Sequence, residues 1–167
     1  MIAAADSVLN DTRATEDEEI RFVQWLAEQI SARPEQLALI VSRTALDHRA
    51  LPPAALTHVV APGGQFSSTS LFVEASFDCV FLHRMLSNMR GGDWLVEARR
   101  VLRPGGLLFV SASQEDFSFA PLPAGGHVHL LRRTLHTAGF DHVAWVDRGN
   151  HHFVTSACRA FEASRSR

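Results

Sequence analysis

Apolar residues fall along this chain in two rhythms, short unbroken runs and stripes at helical spacing, and the two alternate. Leu37 to Val41, Leu56 to Ala61, Phe77 to Leu82 and Leu107 to Ala112 are largely unbroken, as strands covered on both faces require. Ile20, Val23, Leu26, Ala27 and Ile30 line one face of a helix that opens at the capping box Thr15-Glu16-Asp17-Glu18 and stops at Arg33-Pro34. Trp94, Leu95, Ala98 and Val101 stripe a second helix from Asp93 to Leu102, with Asp93 as N-cap and arginines in its last turn. Val128, Leu131, Leu135 and Ala138 stripe a third, closed by Gly139 at the C′ position. Two last strands, Val143 to Val146 and His152 to Cys158, meet through Asp147-Arg148-Gly149-Asn150 as a hairpin. Residues 44–50 suit a helical turn or two, and 62–75 suit a loop or a short strand near Leu71 to Val73.

This alternation predicts an α/β fold, Rossmann-like and doubly wound, with a mostly parallel sheet of six or seven strands and an antiparallel C-terminal hairpin. Its centre is Ser76 to Val110, where a strand, a helix, a Pro104-Gly105-Gly106 stop and a second strand make one right-handed βαβ unit. At 167 residues the chain is expected to form one domain over 15–160, with a loose lead-in at 1–14 and a frayed tail at 161–167. A domain of that size buries roughly 70% of its unfolded surface.

Composition mostly removes possibilities. Net charge is −2, so no global field attracts nucleic acid or an anionic membrane, and no apolar run approaches the ~20 residues of a membrane span. Lysine and tyrosine are absent, which excludes a Schiff-base or P-loop lysine and a tyrosine acid or base. Cys79 and Cys158 sit in apolar runs, as reduced thiols of a cytoplasmic protein do.

The charged and metal-binding side chains read mainly as structure. The acids at 16–19 serve a helix start. Arg99, Arg100, Arg103, Arg132 and Arg133 read as solvated helix faces, and Asp78 as a hydrogen-bonding residue at a strand start. His127 and His129 diverge on a helix, and His151 and His152 diverge on a strand, so no metal site is expected. His83 ends its strand and reads either as a base over the crevice or as a polar residue in an exposed loop.

Three stretches together resemble the C-terminal half of class I S-adenosylmethionine-dependent methyltransferases. They are Ser76-Phe77-Asp78-Cys79-Val80, then Glu97 through Arg103-Pro104-Gly105-Gly106, then Ala138-Gly139-Phe140. The resemblance implies the fold given above and, where it is complete, S-adenosylmethionine as cofactor. The family places a glycine-rich loop after its first strand and an acidic residue at the end of its second. Here those places hold Ser42-Arg43-Thr44-Ala45-Leu46 and Ala61-Pro62, with neither glycine nor carboxylate. About 35 residues separate Ser42 from Asp78, too few for the family's usual strands and crossovers, so the first half is shortened.

A shortened domain of this kind is similar to the N-terminal domain of the anamorsin family, which serves cytosolic iron–sulfur assembly. The resulting expectation is a scaffold or protein-interaction module, or a pseudoenzyme subunit, that has lost S-adenosylmethionine and works with a protein partner. The alternative is an active methyltransferase with an atypical loop. Ser42, Thr44 and Pro62, with His83, would then bind the cofactor, and His83 would serve the acceptor.

Overall fold

The computed structural model describes residues 19–32, 35–46, 51, 56–60, 72–85, 93–113, 126–147 and 152–159. The lead-in, the capping box, Arg33-Pro34, Pro62-Gly63-Gly64, the hairpin turn at 148–150 and the tail lie outside them. The chain divides into two compact units, Met1–Pro34 with Leu46–Ala54, and Glu35–Ala45 with Ala55–Arg167.

The first unit carries helix α1, residues 19–31. Its buried face is Phe22, Val23, Trp25, Leu26 and Ile30, whereas Ile20 is 55% exposed. The stripe therefore lies about one residue around the helix from the expected one. Phe22 and Trp25, with ring centroids 5.9 Å apart, supply more apolar area than Ile20 and set which face turns inward. Leu46 and Leu51 of the same unit are buried as well.

The second unit is a six-stranded sheet. In chain order its elements are β1 (Ala38–Ser42), β2 (Leu56–Val60), β3 (Phe77–His83), α2 (Asp93–Val101), β4 (Leu102–Ser113), α3 (Gly126–Thr137), β5 (Phe140–Asp147) and β6 (His152–Arg159). The strand order is β2-β1-β3-β4-β6-β5. The first four strands are parallel, and β6 runs antiparallel to both β4 and β5, as the expected hairpin demands. Among the described residues, the interval between β1 and β3 contains only the one strand β2.

Leu39 and Val41, Val80 and Leu82, and Leu108 and Val110 share one face of the sheet with Trp94, Leu95, Ala98 and Val101 of α2 and Leu131 and Leu135 of α3. The opposite face of the central strands carries Ile40, Phe81 and Phe109, also buried. Phe81 and Phe109 stack with centroids 4.7 Å apart. Two-sided burial is why these strands read as unbroken apolar runs.

Strand β4 begins at Leu102, not at Leu107. Leu102 pairs with Phe77 and Leu107 with Cys79, so Arg103-Pro104-Gly105-Gly106 is carried as a bulge inside the strand rather than as a stop before it. Gly105 (φ 79°) makes the excursion possible. At Gly106 an added Cβ would come within 2.9 Å of the Asp78 and Arg103 carbonyl oxygens. Gly139 ends α3 at φ 85°, the C′ position read from sequence, with the Arg99 guanidinium against it. Phe72 and Val73 form no strand.

Candidate functional site

Parallel strands point their carboxyl ends the same way, and the ends of open α/β sheets are where ligands of such folds bind. Here β1, β3 and β4 each end their apolar run in a polar residue. Ser42 pairs in register with His83, and His83 with Ser111. Arg43 N–H donates to the His83 carbonyl at 3.2 Å, and Arg84 N–H to the Ser111 carbonyl at 2.9 Å, which locks the three ends together.

The side chains form a row on the face that carries Ile40, Phe81 and Phe109, each two residues earlier on its strand. Ser42 is 0% exposed, His83 1% and Ser111 1%. The Ser42 hydroxyl donates to the Thr44 carbonyl. His83 Nδ1 lies 3.3 Å from Ser111 Oγ. That hydroxyl donates to Nδ1 when the ring proton is on Nε2 and accepts from it in the other tautomer. Past the strand, Arg84 takes φ 55°, a left-handed turn uncommon for a residue with a Cβ, and Met85 is buried.

Of the residues named from sequence, Ser42 and His83 are brought together as cross-strand neighbours. Thr44 is exposed and reaches the row through its carbonyl. Pro62 lies outside the described residues. His83 is buried inside β3, so its reading as an exposed loop residue is corrected. Ser111 was missed, although Leu107-Leu108-Phe109-Val110-Ser111 has the same form as Leu39-Ile40-Val41-Ser42, an apolar run ending in serine.

The opposite, amino ends of the strands hold the charges. Arg103 Nη1 pairs with Asp78 Oδ1 at 2.8 Å, and the other oxygen of Asp78 accepts from Leu37 N–H at 2.9 Å. Asp78 thus does the strand-start hydrogen bonding read from sequence. Arg100 forks onto buried Glu97 through Nε (2.8 Å) and Nη2 (2.6 Å), and Nη2 also donates to the Phe72 carbonyl at 2.7 Å. The Glu97 hydrogen bond holds the Arg100 pKa above its ordinary value, keeping the group charged. These arginines are structural clamps, not the solvated faces expected of them. Among the described residues no group of three or more His, Cys, Asp and Glu could hold a metal ion, and His129 is exposed. No helix among them is long and apolar enough to cross a membrane.

The turn after β1 is Ser42-Arg43-Thr44-Ala45-Leu46 without glycine, its serine hydroxyl is already committed, and β2 ends in the half-exposed Val60 rather than a carboxylate.

A family model described as "methyltransferase domain" matches residues 63–110, which span β3, α2 and most of β4. The Burkholderia thailandensis 1,6-didemethyltoxoflavin-N1-methyltransferase, solved with 1,6-didemethyltoxoflavin and S-adenosylhomocysteine bound, is similar over 91% of this chain and 84% of its own, at 17% identity and a TM-score of 0.57. The chain has a class I methyltransferase-like fold. Similarity to the CurJ carbon methyltransferase covers 75% of this chain and 49% of that one, at 12% identity and a TM-score of 0.51. For the T. thermophilus 16S rRNA N2 G1207 methyltransferase the figures are 75%, 36%, 16% and 0.49. The chain thus spans about half or less of these two longer proteins. No curated protein matches the sequence.

Proposed function

We propose that this methyltransferase-like domain does not bind S-adenosylmethionine and works in the cytoplasm as a scaffold or protein-interaction module. The observation that carries the reading is the withdrawal of Ser42, His83 and Ser111 from solvent. A cofactor at the strand ends needs donors that face it, yet the Ser42 hydroxyl donates to Thr44 and His83 is held against Ser111. The glycine-free turn after β1 and the carboxylate-free end of β2 agree with it. Service in iron–sulfur assembly, or as a pseudoenzyme subunit beside an active methyltransferase, are two settings for the same module.

Calorimetric titration and thermal shift with S-adenosylmethionine and S-adenosylhomocysteine test this. The expected result is no heat and no shift at about 1 mM ligand; micromolar affinity overturns it.

One observation favours the second reading, an active methyltransferase. Ser111 fixes one ring nitrogen of His83 at the carboxyl end of β3, an orientation suited to a base serving the acceptor. The similar Burkholderia enzyme has S-adenosylhomocysteine bound. In that reading Ser42, Thr44 and Pro62 contact the cofactor, and Thr44→Arg abolishes any binding the calorimeter detects.

A further inference from the structure

Helix α3 buries Leu131 and Leu135 completely, and its opposite face holds His129, Arg132, Arg133 and His136, all exposed. Their spacing of i, i+3, i+4 and i+7 puts them in one stripe roughly 10 Å long. Along α3 itself no acidic residue dilutes it. The whole interval from Phe117 to Phe140 lacks Asp and Glu, in a chain that has 18 of them. Asp141, just beyond the helix, stands 3.9 Å from His136.

The arginines of this stripe differ from the others. Arg21, Arg43, Arg84, Arg99, Arg100 and Arg103 are each engaged in a hydrogen bond, ion pair or electrostatic contact. The side chains of Arg132 and Arg133 have no such partner among the described residues, where the Arg133 carbonyl accepts a bond from Thr137 Oγ1. Among the described residues the guanidinia of Arg100 and Arg103 serve as clamps, whereas here adjacent cations stay solvated on a helix whose other face is locked into the core.

We infer that the exposed face of α3 docks an acidic helical segment of a protein partner, whose carboxylates at i, i+3, i+4 and i+7 meet Arg132 and Arg133 and the flanking histidines. Guanidinia favour carboxylates because the planar fork accepts them two bonds at a time. A protein segment fits better than a phosphate polymer. The chain is net negative, the stripe holds only two permanent cations, and it contains no Phe or Trp to stack a base. It fits better than a lipid surface because the stripe offers no apolar side chain to insert.

This inference gives the interaction-module reading a face and a partner chemistry, and rests on that reading. Its test uses the whole chain and a labelled alanine-based helical peptide with glutamates at those four spacings, followed by fluorescence anisotropy at low salt. Binding should weaken about tenfold between 50 and 250 mM NaCl and by at least about tenfold in Arg132→Glu/Arg133→Glu, with circular dichroism unchanged. The same peptide with lysines in place of glutamates should regain binding to the reversed variant. Equal binding by wild type and variant, or no binding at low salt, overturns the inference. So does tighter binding to labelled oligo(dT) or to phosphatidylserine vesicles than to the peptide. If the reversed variant fails to fold, Arg132→Gln/Arg133→Gln and the wild-type salt dependence decide instead. Cofactor titration is a separate readout, so a failure of this surface is told apart from a failure of the scaffold reading.

Discussion

At the amino ends of β1, β3 and β4, carboxylates and guanidinia join the strands; at the carboxyl ends, an imidazole and one hydroxyl join β3 to β4 while the Ser42 hydroxyl bonds within its own turn. Asp78 holds Leu37 N–H on one side and Arg103 on the other, and Arg100 with Glu97 pins the approach to β3 through the Phe72 carbonyl. These are charge-assisted bonds, roughly twice as strong as neutral ones. Ser42, His83 and Ser111 make neutral contacts in a buried row. The difference separates architecture from chemistry. The residues that resemble a methyltransferase build the end that holds the sheet together, whereas activity in such sheets belongs to the other end.

The sharpest way to break this contrast is Gly106→Val. Its side chain would meet two backbone oxygens at the bulge, so a loss of about 3 kcal/mol or more is expected in urea unfolding. Next comes Arg100→Met, which leaves the buried Glu97 carboxylate without its fork. About 2 kcal/mol is expected, less than for a fully buried pair because Arg100 is partly solvated. Ser111→Ala should cost about 1 kcal/mol by the same assay, the worth of one buried neutral hydrogen bond. Asp78→Asn keeps an acceptor for Leu37 and loses a half-exposed ion pair, so about 0.5 kcal/mol is expected. If Ser111→Ala destabilised more than Arg100→Met, the carboxyl-end row would be the stronger fastening and the division drawn above would fail.

Much of the sheet was legible because two-sided burial writes continuous apolar runs, as in Ala38–Ser42 and Phe77–His83. Helices α2 and α3 were legible from their stripes, and the end of α3 from Gly139. The start of β4 was misread because Pro104-Gly105-Gly106 has the composition of a chain reversal. Long-range contacts keep that segment alongside β3 as a bulge, among them those of Arg103 with Asp78 and Ala75 and the close approach of Gly106 to the Asp78 carbonyl. The candidate site was half legible. Ser42 and His83 stand at visible strand ends, but their adjacency to Ser111 depends on register across the sheet, which no local pattern encodes. The clamping roles of Arg100 and Arg103 were hidden for the same reason, since Phe72, Ala75 and Asp78 are distant in sequence from the helix end that grips them.

Cys79 gives the sheet a clock. Its thiol is buried in β3 and donates to Gln36 Oε1 at 3.0 Å, beside the backbone bond from Cys79 N–H to the Leu37 carbonyl. A thiol-reactive dye can reach it only when the packing around it opens. In a Cys158→Ser background, the labelling rate therefore counts how often the centre of the sheet opens, one event per modified molecule when modification outpaces reclosing. Asp78→Asn should quicken that count before it lowers the melting temperature perceptibly, because the carboxylate and the thiol guard the same seam from adjacent positions.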